Sequence, residues 1–400
     1  MSNPYERIGV SAIINAYGPL TRLGGSLLPP KVAAAMQDAS RYSVDMTTLQ
    51  STASTIIAGH TGAEAGYVTS GAAAGLLLGT AACVTGLDVG KMNRLPNTKG
   101  MKNEVVVAKS QRNFYDHAVR TAGIELVEVG IPDRYSGAGV RDAEPWEFSE
   151  AITENTAAVY YVAAPQSLPK LEDVIKVAHD KGVPVLVDAA GRVPPVANLR
   201  TYIEKGADLV VFSGGKGIRG PQSSGILCGR HDLIMAAALQ HLDHDVHFEQ
   251  FSPPGNLIVK SKIPGLPHHG IGRPCKVGKE EIIGLLTALD LFVKEDPDQY
   301  YNVQLDLAQD IEKHLKNIRN ITTQLNPGGG MYPMPSIELR LDEDAAGMST
   351  QQLVTELQNG EPSIHADPTY ASERRISFRT VCLKDGEPEL IGQKIRKILG

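Results

Sequence analysis

Two charged residues, Asp188 and Lys216, sit where strand ends meet turns. Asp188 closes the apolar run Val183 to Val187. Lys216 follows a second such run, Leu209 to Phe212, on the turn Ser213-Gly214-Gly215-Lys216. Short uninterrupted apolar runs of this kind read as strands of a parallel sheet covered on both faces. Ligands of open α/β sheets bind beyond the carboxyl ends of the strands, so both side chains are expected at neighbouring strand tips. A lysine there can hold pyridoxal phosphate (PLP) as a Schiff base, while a carboxylate keeps the pyridine nitrogen protonated so that the ring accepts electrons. Taken singly, Asp188 reads equally as a helix cap and Lys216 as a surface residue. Together, with Ser213 placed to bind a phosphate oxygen and Gly214, Gly215, Gly217 and Gly220 supplying backbone freedom, they favour PLP. A nucleotide P-loop is excluded, because Gly217 follows Lys216 and Val210 stands where the first glycine belongs.

A second site is expected where the strand-like Tyr67-Val68 turns at Thr69-Ser70-Gly71 into the Ala-rich helix Ala72 to Val84. A helix start with residues this small leaves free N–H groups and room for a phosphate on the helix dipole. Tight packing of a small-residue helix under a sheet explains the same residues without a ligand.

The elements that must position these sites alternate. A helix is expected from Pro30, strands at 105–108, 125–129 and 157–162, and helices at 115–122 and 171–181, so the sheet is mostly parallel. Residues 90–102 and 133–145 read as surface excursions. The prolines between Phe251 and Pro267 mark the passage to a second α/β unit, with helices at 279–293 and 304–318 and strands at 336–341 and 375–380. The expected division is an N-terminal segment 1–30, a large domain 31–255 and a small domain 256–400.

With 400 residues, 42% of them hydrophobic and 21% charged, the chain can bury a large core. A net charge of −6 without a Lys/Arg cluster gives no footprint for nucleic acid and points to small metabolites. The four cysteines are widely spaced, the first ten residues lack a signal-peptide core, and no window is apolar enough to span a bilayer. A location in the reducing cytoplasm is therefore expected. His241, His244 and His247, with Asp243 and Asp245, have a spacing compatible with a metal site, but no HExxH pattern accompanies them and no metal is expected. His268-His269 reads as a loop able to reach a neighbouring subunit.

Several segments together resemble the fold-type-I (aspartate aminotransferase-like) PLP enzymes, and within them the selenocysteine synthase-like branch. They are Ile14-Asn15-Ala16-Tyr17-Gly18, Gly62-Ala63-Glu64-Ala65, Ala72 to Ala74, Ser213 to Lys216, Gly220-Pro221-Gln222, Gly272-Arg273 and Lys276 to Lys279. That branch includes seryl-tRNA selenium transferase and D-glucosaminate-6-phosphate ammonia lyase. The resemblance implies a large domain with a seven-stranded-type sheet and a smaller C-terminal α/β domain. It implies Lys216 as the Schiff-base lysine, Asp188 as the ring-nitrogen partner, Ser213 as a phosphate ligand, and Ser70, Gly71 and Ala72 as the phosphate cup. The residue stacked on the ring falls in Gln111 to His117; His117 is favoured, with Asn113 and Phe114 as alternatives. A substrate carboxylate is expected on Arg375 or Arg379, which share one face of a strand. Arg219 and Gln222 are further expected substrate contacts, and Arg192, Arg273 and Lys276 are cations available for a second anionic group.

The selenium transferase has an N-terminal RNA-binding extension, for which a start at Ile13-Ile14-Asn15 leaves no room. Its asparagine-rich turn is Thr69-Ser70-Gly71 in this chain. Selenium transfer to tRNA, or a non-catalytic RNA-linked role, is therefore not expected. The leading expectation is a lyase that abstracts the α-proton of a hydroxylated, possibly phosphorylated, amino acid and eliminates the β-hydroxyl to give a 2-keto acid and ammonia. A racemase, aldolase or transferase using related chemistry is the alternative, and a homodimer or ring of dimers is the expected assembly.

Overall fold

A computed structural model describes residues 3–131, 142–329 and 332–400. Its strands are β1 (Ile13–Ala16), β2 (Ala65–Thr69), β3 (Glu104–Ala108), β4 (Glu125–Val129), β5 (Thr156–Val162), β6 (Val185–Asp188), β7 (Leu209–Ser213), β8 (Gly225–Gly229), β9 (Ile321–Asn326), β10 (Ser336–Leu341), β11 (Ser363–Ala366) and β12 (Arg375–Arg379). The chain divides into two compact units, Leu28–Val293 and Met1–Leu27 with Lys294–Gly400.

The larger unit holds a seven-stranded sheet in the order β2-β8-β7-β6-β5-β3-β4. It is parallel from β7 to β4, and β8 runs antiparallel to both of its neighbours. Successive residues of β6 and β7 feed opposite cores. Val185, Val187, Val210 and Phe212 face one, and Leu186, Leu209 and Val211 face the other. Burial on both faces is the physical reason these strands carry no polar alternation. The first core is roofed by the helix Leu171–Asp180, through Val174 and Ala178, and the second by Ala72–Thr85 and His231–Leu239.

The edge strand β2 is closed by a side chain rather than another strand. Gln50, fully buried on the helix Met46–Thr61, donates to the Val68 carbonyl at 2.8 Å and accepts from the Val68 N–H at 3.0 Å. Both backbone groups of Val68 are thereby hidden from other chains. Ser54 on the same helix accepts from the Gly66 N–H at 3.0 Å.

In the smaller unit, β12-β10-β9 form an antiparallel sheet and β1 pairs parallel to β11. Two of its features differ from the expected division. Residues 1–27 belong with the C-terminal residues, because β1 takes its hydrogen bonds from β11 and Ile14 packs with Ile337, Phe378 and Ile391. Residues 256–293 belong with the larger unit, because Ile282, Leu285, Leu289 and Phe292 of the helix Lys279–Lys294 enter its core. Chain punctuation by proline marked a loop there, not the boundary. The excursion expected at 90–102 begins instead as the helix Val89–Arg94, capped by Asp88, whose carboxylate accepts from the Lys91 N–H at 3.0 Å. The excursion at 133–145 falls largely outside the described residues. Among the described residues, no helix is long and apolar enough to cross a membrane.

Gly225 stands opposite both Thr69 of β2 and Ser213 of β7. A Cβ there would lie 2.6 Å from the Gly71 carbonyl carbon and 2.8 Å from the Ala72 nitrogen, both rigid backbone. Gly225→Ala is expected to cost about 1–3 kcal/mol. The check is a urea titration, with the midpoint lowered and the slope unchanged.

Candidate active site

β6 and β7 bring Asp188 and the Lys216 turn side by side: Asp188 registers against Val211, the Ala189 N–H donates to the Val211 carbonyl at 2.9 Å, and the Ser213 N–H donates to the Ala190 carbonyl at 3.3 Å. Asp188 is only 8% exposed. Its Oδ1 accepts from the Ala190 N–H at 3.0 Å and its Oδ2 from the Tyr160 hydroxyl at 3.1 Å. Burial pushes its carboxyl above the usual carboxylate range, while the two donors and the nearby charges of Lys216 and Arg192 pull the other way. Lys216 is half-buried, and burial holds its amine below the ordinary lysine value, with Asp188 opposing that shift and Arg192 adding to it.

The glycines of the turn serve a purpose other than the one expected. None of Gly214, Gly215, Gly217 and Gly220 has a positive φ; the left-handed residue is Arg219, at +59°. The glycines are there for space. A Cβ at Gly217 would fall 2.0 Å from the Val193 carbonyl oxygen, and one at Gly214 2.1 Å from Ser224 Oγ. Arg219 closes the turn by donating its N–H to the Lys216 carbonyl at 2.9 Å, and Gln222 packs against Gly215, where its Cα lies 2.8 Å from a Cβ position. Ser213 is half-buried at the end of β7, beside this turn.

The helix Ala72–Thr85 starts from Gly71 with no side-chain cap, and its first backbone bond is Gly75 N–H to Gly71 carbonyl at 3.1 Å. The N–H groups of Ala72, Ala73 and Ala74 precede that ladder, as at any helix start that could hold an anion. Ser70 is used differently from the expectation. Its hydroxyl donates to the Cys275 carbonyl at 2.8 Å, so its single proton is committed inside the protein and a phosphate held there would rest on backbone N–H groups. His241 meets the same carbonyl through Nε2 at 2.9 Å, and its Nδ1 lies 2.8 Å from the Tyr67 hydroxyl. A carbonyl only accepts, so Nε2 carries the imidazole proton and Nδ1 accepts from Tyr67; burial lowers the His241 value and favours this neutral form.

Beside Ser70 lies a cavity of about 600 Å³, whose polar lining includes Ser223, Arg273, Lys276, Lys279 and Glu281. Arg273 is braced by Asp243 at 3.2 Å and by the His241 carbonyl at 3.2 Å. The histidine run is structural in its buried part: His244 bonds the Leu239 carbonyl at 2.8 Å, as His241 does Cys275. Ligand atoms of Asp243, Asp245 and His269 lie within 4.8 Å of one another, all three exposed. Asp245 pairs with His269 at 3.1 Å.

Three expected site residues are placed differently from the expectation. His117 is exposed on the helix Asp116–Thr121, and a ring near the amine is that of Tyr115, 5.9 Å from Nζ. Two positions in the segment 111–117 separate the two. Arg375 and Arg379 belong to the smaller unit and already hold carboxylates. Arg375 bonds Glu338 at 2.9 Å and also Glu373, while Arg379 bonds Asp367 and stacks over Tyr332 at 4.7 Å. The two do share one face of β12, whose opposite face buries Ile376 and Phe378. Tyr160 escaped notice, although a tyrosine inside an otherwise apolar strand is a buried hydroxyl in need of a partner.

A buried acid and an amine at adjacent tips of a mostly parallel sheet, beside an uncapped helix start, fit the ring nitrogen, aldehyde and phosphate of PLP and define a fold-type-I PLP-dependent enzyme. The fold alone is shared with the cysteine desulfurase CsdA from Escherichia coli, with a TM-score of 0.53 at 16% identity, covering 100% of this chain and 99% of that one. The chain belongs to the family described as SelA, L-seryl-tRNA selenium transferase, whose model matches residues 14–248. A 5'-C-glycyluridine monooxygenase-decarboxylase from a Streptomyces species is 33% identical over 374 residues, 90% of this chain and 83% of that protein. D-glucosaminate-6-phosphate ammonia lyase from Salmonella typhimurium is 28% identical over 404 residues, 99% of this chain and 98% of that one. A solved structure of D-glucosaminate-6-phosphate ammonia-lyase superposes with a TM-score of 0.82 at 27% identity, covering 100% and 98%.

The lowered Lys216 value means that the folded protein releases this proton at lower pH than the unfolded chain. Lys216 therefore makes stability rise with pH between its folded value and the ordinary lysine value of about 10.4. In the cofactor-free protein, Lys216→Met is expected to resist urea better than wild type at pH 7, with the gap narrowing by about pH 10. A gap of the same size at both pH values would contradict the assignment of a desolvated charge.

Proposed function

We propose that this protein is a PLP-dependent ammonia lyase acting on a β-hydroxylated amino acid that carries a phosphate, of the amino-sugar-acid type. The observation that carries the reading is the Asp188–Lys216 pair beside an uncapped helix start, in a chain matched over nearly its whole length by D-glucosaminate-6-phosphate ammonia lyase. When bound, PLP supplies an electron sink that makes the proton on the substrate α-carbon removable. Lys216 takes that proton at Nζ, burial holding its amine below the ordinary lysine value, and returns it to the departing β-hydroxyl, which leaves as water. Hydrolysis of the dehydrated product gives the 2-keto acid and ammonia. Asp188 supplies the negative charge opposite the ring nitrogen. The N–H groups of Ala72 to Ala74 hold the cofactor phosphate. Arg273 and Lys276, at the wall of the neighbouring cavity, receive the substrate's own phosphate.

We further propose that the protein works in the cytoplasm as a homodimer on this small molecule rather than on RNA. Phe114, 96% exposed next to Tyr115, supports a covering partner there.

A second reading is favoured by the 33% identity with the monooxygenase-decarboxylase: oxygen-dependent decarboxylation of an amino acid by the same lysine and acid. PLP-loaded protein incubated with D-glucosaminate 6-phosphate distinguishes the two. The lyase reading expects ammonia and 2-keto acid in equal amounts without oxygen uptake, and a loss of roughly 10³-fold or more in Lys216→Ala. Lys276→Ala is expected to raise KM about 10- to 100-fold with kcat little changed, the signature of a lost charged contact to the substrate phosphate. Oxygen uptake with carbon dioxide release from an amino acid, and no ammonia, would replace the first reading with the second.

A further inference from the structure

We infer that Tyr160 is a positioning residue that sets both the place and the charge of the Asp188 carboxylate. The inference rests on the role assigned above to Asp188. Tyr160 is fully buried on β5, two residues before Val162, which registers against Asp188. Its hydroxyl has one proton, and that proton goes to Asp188 Oδ2 at 3.1 Å. Burial raises the phenol's value, and the nearby Asn113 side chain opposes that rise.

The segment bearing Asn113 is fastened at both ends. Asn113 Oδ1 accepts from the Tyr115 N–H at 2.8 Å and its Nδ2 donates to the Gln111 carbonyl at 3.3 Å. Gln111 accepts from the Val162 N–H at 2.9 Å and donates to the Leu168 carbonyl at 3.2 Å. Asp116, buried, is held by Arg112 and Arg120. Tyr115, between these anchors, faces Lys216. The segment that presents a ring to the amine is thus tied through Gln111 to Val162, the β5 residue that registers against Asp188.

The charged groups facing Asp188 are Lys216 and Arg192, and Asp116 acts on Tyr160 from the far side. Of the donors to the carboxylate, the Ala190 N–H is backbone and unalterable, so the Tyr160 hydroxyl is the adjustable one. Without it, a buried oxygen loses its donor and the carboxylate takes up a proton at higher pH. With less negative charge on Asp188 the ring nitrogen of bound PLP would hold its proton less firmly, and loss of that positive charge would leave the Lys216 nitrogen joined to the ring more basic, against the smaller direct effect of Asp188 on the amine.

Tyr160→Phe keeps the buried ring and removes only the hydroxyl; Asn113→Ala removes the amide that acts on that hydroxyl, from a half-buried position outside the core. Visible absorbance of the PLP-loaded protein is titrated with pH for both, alongside the PLP dissociation constant and a urea midpoint. The expected result is an upward move of the spectral transition by about one pH unit in Tyr160→Phe, a tenfold change in the proton equilibrium. A smaller move in the same direction is expected in Asn113→Ala, which decides the matter if the first variant does not fold. An unmoved transition in the folded variants, whatever the change in urea midpoint, would reduce Tyr160 to a packing residue and overturn the inference. Absence of any visible band in wild type with added PLP is a different result, and refutes the cofactor assignment instead.

Discussion

A carboxyl group almost wholly buried at the end of β6, one strand from a half-buried lysine, is the constraint around which the site is arranged. Desolvation opposes the charge, so the structure surrounds Asp188 with compensation: one backbone donor, one phenol, and the positive charges of Lys216 and Arg192. The same proximity acts in reverse on Lys216, whose ammonium is disfavoured by burial and only partly restored by Asp188. An acid whose charge is compensated by two donors and two cations, beside an amine held below its ordinary value, is the pairing on which the proposed function rests.

Close packing enforces that juxtaposition. The Lys216 turn lies so near β8 and the Val193 backbone that side chains at Gly214 and Gly217 would collide with fixed atoms. Gly225, at the start of β8, lets the helix start at Gly71 come as near on the other side. β8 is therefore the spacer between the amine and the uncapped helix end. The Cys275 carbonyl ties in the third element, accepting from Ser70 and from His241, whose tautomer that carbonyl determines. That junction places Arg273 and Lys276 at the wall of the cavity that Ser70 also lines. Relatives with an ammonia-lyase name and a monooxygenase-decarboxylase name both align over most of this chain.

Much of this was legible in one dimension. Strands buried on both faces announce themselves as unbroken apolar runs, and β6 and β7 were readable with their tips. The uncapped start of the helix Ala72–Thr85 was readable from its small residues. Local chemistry of this kind depends on neighbours within a few positions, so Asp188, Lys216 and Gly71 were identified with their elements. The edge strand's closure by Gln50, the helix Met46–Thr61 and the pairing of β1 with β11 carried no such periodic signal.

What the sequence by itself determined was the strands β6 and β7 and the titratable groups that stand at their tips, because periodicity and turn chemistry are local. Tertiary structure alone decided how each group is used. Ser70 gives its proton to a carbonyl 205 positions away, and Arg375 and Arg379 are taken by Glu338 and Asp367. Tyr115 rather than His117 faces the lysine, and Tyr160 reaches Asp188 from a neighbouring strand. A side chain's partner is fixed by which backbones pack within hydrogen-bond reach, and that distance is a property of the fold, not of spacing along the chain.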